Sequence, residues 1–139
     1  MALDDLRSWA PRMLGGIRLF NGAAALLAPG SVARRLGVDT DANPAPVYPL
    51  RMFGVRTVVL GAELLLPQEE DDRLQAMRTG ILIHASDTLA AGLGGIRGHL
   101  PGRTAVLLTG VSAINTALAV LGSSAPRAAK ARRRWSRWR

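Results

Sequence analysis

Four apolar stretches alternate with charged or Pro- and Gly-rich breaks along the chain. The first runs from Met13 to Ala28 and stops at Pro29-Gly30. The second runs from Leu50 to Leu66 between Pro49 and Pro67, and the third from Met77 to Ile96. The fourth runs from Thr104 to Leu121, opened by Pro101-Gly102 and followed by Pro126. Proline at the entry to a run and Pro or Gly past its end punctuate helices. Each run is about 16–20 residues, at the lower edge of the roughly 17–25 that cross hydrocarbon.

The charge pattern inside the runs separates two bundles. A soluble helix needs a broad charged face, usually with opposite charges one turn apart. No charged residue lies between Arg103 and Arg127, and between Arg78 and Arg97 the only ionisable groups are His84 and Asp87. The pattern therefore predicts an all-α fold, a four-helix transmembrane bundle, rather than a soluble one. The membrane domain spans residues 1–125, with spans at about 13–28, 50–66, 77–96 and 104–121, and a basic tail follows at 126–139. A cleaved signal at Met13–Ala28 fits poorly, because Arg18 and Asn21 interrupt it and Asp4 and Asp5 precede it.

The connections carry their own signals. S-V-A-R-R-L-G-V predicts a short interfacial helix between spans 1 and 2, capped by Ser31, with Val32 and Leu36 on one face and Gly37 as its stop. D-T-D-A-N-P-A-P-V-Y-P reads as extended, turn-rich chain. Residues 67–73 form an acidic turn in which Asp71 or Asp72 is placed to cap the next helix.

Composition sharpens this. Hydrophobic residues make up 48% of the 139 and aromatics only 4%, so the apolar mass is Ala, Leu, Val and Gly. Small residues let helices approach closely where lipid supplies no hydrophobic drive between them. Ser86, Ala90, Gly94 and Gly98 recur every four residues and predict one contact ridge; Gly54 and Gly61, and Gly110, predict others. The absence of cysteine excludes disulfides, thiolate nucleophiles and Cys-ligated metals. Richness in Arg, Ala and Gly with Lys130 as the one lysine points to a G+C-rich bacterium.

The formal net charge is +8, and Arg127, Lys130, Arg132, Arg133, Arg134, Arg137 and Arg139 supply nearly all of it. Lys and Arg beside a span stay in the cytoplasm. The expected location is thus the bacterial inner (plasma) membrane, multi-pass, with both termini cytoplasmic. Arg132, Arg133, Arg134, Trp135, Arg137 and Trp138 are read as a clamp on anionic headgroups rather than as a nucleic-acid site. The expected partners are this bilayer and, beside it, a second copy of the chain or a membrane partner protein; no nucleic acid is expected.

Polar residues recur at helical spacing inside the runs. Arg18 and Asn21 lie on the first, Arg56 and Glu63 on the second, His84 and Asp87 on the third, and Ser112, Asn115 and Thr116 on the fourth. A charge facing lipid at mid-span costs at least about 2.5–3.5 kcal/mol, so these groups should turn inward and pair. The expectation is Arg56 with Asp87 and Arg18 with Glu63, or the swapped pairs, with His84, Asn21 and Asn115 completing the hydrogen bonds. Such a core is read as mainly structural. The alternative is a proton-linked transporter or a quinone- or lipid-binding accessory protein using the same residues. No catalytic residue, metal site or cofactor is expected. Ser86 points away from His84 and Asp87 on their helix, so they form no hydrolase triad. Glu63, His84 and Asp87 fall short of a two-His metal set, and the glycines at 92–98 end a helix rather than open one, unlike a phosphate loop.

R-M-F-G-V-R-T-V-V-L-G-A-E-L, H-A-S-D-T-L-A-A and P-G-S-V-A-R-R-L-G-V resemble a family of small bacterial integral membrane proteins, frequent in actinobacteria, whose name records only a domain of unknown function. The resemblance covers most of the chain except the Arg/Trp tail. It implies four spans, an R-x-F-G-x-R signature (Arg51, Phe53, Gly54, Arg56) and an aspartate at Asp87, and no known activity. The chain is more distantly similar to DoxX-like four-helix proteins, some of them associated with quinone-linked oxidation.

Overall fold

Asp4 and Asp5 sit in the first turn of α1 (Leu3–Leu27), where the helix dipole favours carboxylates, and so the helix starts well before its apolar run. Its interior Pro11 forgoes a backbone hydrogen bond; the ring is buried against Gly122. The computed structural model describes residues 3–66 and 69–124. Within them follow α2 (Pro29–Arg35), α3 (Val47–Leu65), α4 (Glu70–Ile96) and α5 (Gly102–Ser123).

The breaks behave as their residues dictate. Pro29 occupies the first turn of α2, and Gly37 ends the segment at φ +86°. Ser31 does not cap this helix; its hydroxyl accepts from Arg34 instead. Asp39 and Asn43 side chains accept backbone N–H groups two residues on, which makes 39–45 a chain of turns. Glu69, in extended conformation, stands at the N-cap of α4 without a side-chain bond, so neither Asp71 nor Asp72 is the cap.

Two helical hairpins, α1 with α3 and α4 with α5, meet along α1 and α5, while α3 and α4 barely touch. In the first hairpin Gly15 faces Gly61 and Gly22 faces Gly54. A Cβ on Gly54 would lie 2.5 Å from the Leu26 nitrogen and 2.8 Å from the Gly22 oxygen. A Cβ on Gly61 would lie 2.9 Å from the Gly15 oxygen. Glycine is thus required by contact between backbones. In the second hairpin Gly122 receives the Met77 side chain, and Gly95 receives Ala105. The ridge expected on α4 does not form: Ser86 and Ala90 are exposed and Gly98 lies in the turn after the helix. Gly110 also faces open space.

The packed centre is small. Ala10, Leu14, Leu64, Met77, Leu118 and Ala119 form it, while Phe20, Leu82, Leu89, Ile96, Val106 and Ile114 lie on the outside.

The described residues form helices joined by turns, an all-α arrangement, but the four-span transmembrane bundle is not supported. Among the described residues, one helix, Gly102–Ser123, is long and apolar enough to cross a membrane by length and composition. The physical reason lies in what the other runs contain. Arg12 and Arg18 break the apolar part of α1, Arg51, Arg56 and Glu63 that of α3, and His84, Asp87 and several glycines that of α4. Counting the length of a run overstated its hydropathy.

Candidate functional site

Arg18 lies midway along α1 and is 3% exposed. Its guanidinium crosses to α4, where Nε donates to His84 Nε2 at 3.2 Å and Nη2 reaches the same nitrogen at 3.0 Å. Nη1 also donates to the Leu60 carbonyl of α3 at 3.4 Å. One side chain therefore ties three helices. Gly80, one turn before His84, makes room for it, since a Cβ there would lie 2.8 Å from Nη2.

The hydrogen bonds determine the imidazole's state. A guanidinium has only donors, so His84 Nε2 must be the acceptor, and the ring is neutral with its proton on Nδ1. Nδ1 in turn faces Asp87 Oδ2 at 3.8 Å, beyond hydrogen-bond reach. Asp87 has half its side chain exposed. The order across the bundle is thus guanidinium, neutral imidazole, carboxylate.

Asn115 joins this level from α5. Gly80 packs opposite Ala119; His84 lies four residues after the one and Asn115 four before the other, so the two are level in the antiparallel pair. Asn115 is 5% exposed, and its Oδ1 has no hydrogen-bond partner. Asn21 is half-buried on α1.

The remaining expected members lie further out. Arg56 and Glu63 on α3 and Asp87 on α4 are exposed. Glu63 lines the same groove as Arg18 and its charge acts on it. Arg56 acts on Asp87 at longer range, and among the described residues no contact ion pair joins them. His84, expected to complete hydrogen bonds in this set, is the residue that accepts from Arg18. The tail residues Arg132, Arg133, Arg134, Trp135, Arg137 and Trp138 lie outside the described residues.

Between the C-terminal half of α3 and the N-terminal half of α4 runs a groove of about 360 Å³. Arg18, Glu63, Asp72, Gln75 and Thr79 supply its polar lining, and Leu60 and Ile83 are among its apolar residues. Sequence reading missed Asp72, Gln75 and Thr79. Their spacing of three and four was a usable signal, since it places them on one stripe of α4. Among the described residues, no group of three His, Asp or Glu side chains converges as a metal site.

No protein family, curated protein or solved structure matches the chain.

Proposed function

We infer that this is a small membrane protein of the bacterial plasma membrane, embedded through an apolar outer belt and held together by the Arg18–His84 node. One observation carries this reading: many large apolar side chains lie outside a small core. Beside Leu14, Leu64, Met77 and Leu118 the interior holds glycine, alanine, Arg18, His84 and Asn115, while Phe20, Leu82, Leu89, Ile96, Val106 and Ile114 face outward. Large apolar side chains spread over the outside of several helices make poor sense in water. They fit lipid, where association rests on small-residue contact and interhelical hydrogen bonds.

Two further features support it. Only 28% of the apolar window of α5 is buried, so most of that window faces outward. Trp9 and Tyr48 are exposed near opposite ends of the α1/α3 hairpin. With Gly22 opposite Gly54, Tyr48 is level with residue 28 of α1. Trp9 and Tyr48 therefore lie about 28 Å apart along the axis at about 1.5 Å per residue. Trp and Tyr are side chains that a membrane–water interface favours. Arg12 sits over the Trp9 ring, 5.4 Å from its centre. The reading assigns lipid contact to the belt and a spanning role to α5 alone.

The node is structural in this reading. A proton carried to His84 Nε2 would have to displace a buried guanidinium, so the side chains as arranged form a clamp rather than a relay. The test is fractionation of the protein produced in a bacterium. It is expected in the membrane pellet and to stay there through alkaline carbonate washing; recovery in the supernatant would overturn the reading.

A further inference from the structure

One end of the bundle carries an excess of positive charge. The fold brings α2, the start of α3, the α4–α5 turn and the first turn of α5 together there, and the Thr104 hydroxyl donates to the Leu36 carbonyl at 3.0 Å across the join. Arg34, Arg35, Arg51, Arg97 and Arg103 stand exposed at this end, and the acids there are Asp39 and Asp41. Among the described residues none of these arginines forms a salt bridge. Arg34 is held instead by two hydroxyls, that of Ser31 at 3.2 Å and that of Thr40 at 3.5 Å. At the opposite end Asp4, Asp5 and the acids at 69–72 outnumber Arg7, Arg12, Arg73 and Arg78. The two ends differ in sign, although both are charged.

Helix stability accounts for part of this placement. Arg34 and Arg35 in the last turn of α2, and Arg97 at the C-cap of α4, suit the negative ends of those helices. Arg103 does not. It lies in the first turn of α5, where the helix dipole disfavours a cation and no acid of that turn offsets it. The neighbours of the arginines are apolar: Ile96, beside Arg97, is 85% exposed, and Val106, one turn after Arg103, is 75% exposed.

We propose that this end is a docking surface for anionic phospholipid headgroups, of the phosphatidylglycerol type. The inference rests on the membrane reading above and needs α5 alone to cross. Arg103 opens that helix, and the Thr104–Leu36 bond ties the α2 segment to the same level. The guanidiniums donate to headgroup phosphates, while their stems and the apolar rim enter the boundary with the acyl chains. The phosphates supply the negative charge that the first turn of α5 lacks. A zwitterionic headgroup brings its own cation beside the phosphate and is held less tightly. A nucleic acid has no use for the apolar rim.

Full-length protein in nanodiscs of equimolar phosphatidylglycerol and phosphatidylcholine, released for native mass spectrometry, tests this. Wild type is expected to retain more phosphatidylglycerol than phosphatidylcholine. The triple variant Arg34→Gln, Arg97→Gln and Arg103→Gln should lower that ratio about threefold or more, since each arginine at an anionic surface adds to the attraction. Arg7→Gln, Arg73→Gln and Arg78→Gln together remove the same charge from the opposite end and should leave the ratio unchanged. The basic tail is present in all three proteins, so its contribution cancels. If the first triple variant fails to fold by circular dichroism, Arg97→Gln with Arg103→Gln makes the same comparison against Arg73→Gln with Arg78→Gln. An equal fall in both variants would mean that net charge alone acts, and it overturns the assignment, as does a ratio that neither variant lowers. Binding of a single-stranded oligonucleotide that the first triple variant alone abolishes overturns lipid as the occupant. Such failures in a protein that has entered the discs refute the docking surface alone; a protein that never enters them refutes the membrane reading.

Discussion

Arg18 concentrates the internal polarity of this protein in one side chain, and its neighbours separate structural from incidental contacts. His84→Ala removes the acceptor of two guanidinium N–H groups and leaves a buried charge less satisfied. Hydrogen bonds to charged groups contribute about 1.5–3 kcal/mol, so a loss of that size is expected in thermal melts of detergent-solubilised protein. His84→Asn, whose side-chain oxygen can accept, should recover part of it. Asp87→Asn is expected to change stability by less than about 0.5 kcal/mol, because the carboxylate is half exposed and 3.8 Å from the ring. A large loss in Asp87→Asn, or none in His84→Ala, would show that the node is not the clamp described. The polar residues were legible as a set, since helical spacing shows which share a stripe. The exact bonds were less so. Charge matching paired Arg18 with Glu63 and Arg56 with Asp87 and left His84 to complete hydrogen bonds; the buried bonds of Arg18 go to His84 and to a backbone carbonyl.

At the level of helices, two glycine pairs hold α1 against α3. Gly54→Ala would drive a methyl into Leu26 and Gly22 backbone, and such overpacking costs about 1–3 kcal/mol. Gly110→Ala meets nothing within 4 Å. It should instead stabilise by up to about 1 kcal/mol, the helix propensity difference. Chemical or thermal unfolding of the two variants in the same micelle checks the contrast, and equal effects would refute the pairing. Gly54 and Gly61 were readable as contact positions from their spacing of seven. The ridge expected at Ser86, Ala90, Gly94 and Gly98 was not real, although its spacing was as regular. Small residues permit close approach without compelling it; the partner helix has to arrive at that face.

Taken as a whole, the molecule has many large apolar side chains outside its small core, and it carries no cysteine, so single cysteines can map its surroundings directly. A spin label at Val106 or Ile114 is expected to be accessible to lipid-dissolved oxygen and protected from a water-soluble nickel reagent. One at Ala119 should be protected from both. The reverse pattern at Val106 and Ile114 would place the belt in water.

Read as sequence, the chain already dictates its helices. Proline and glycine breaks bound the apolar runs, and backbone hydrogen bonding then leaves few other choices. The small-residue composition likewise dictates that packing is close and side-chain layers thin. Extent was less legible, because α1 and α4 continue into charged turns that the dipole tolerates. Which faces meet belonged to the assembled fold. A helical stripe has a direction only relative to a neighbour, and nothing local states that Arg18 turns toward His84, that α3 and α4 stand apart, or that a groove opens between them.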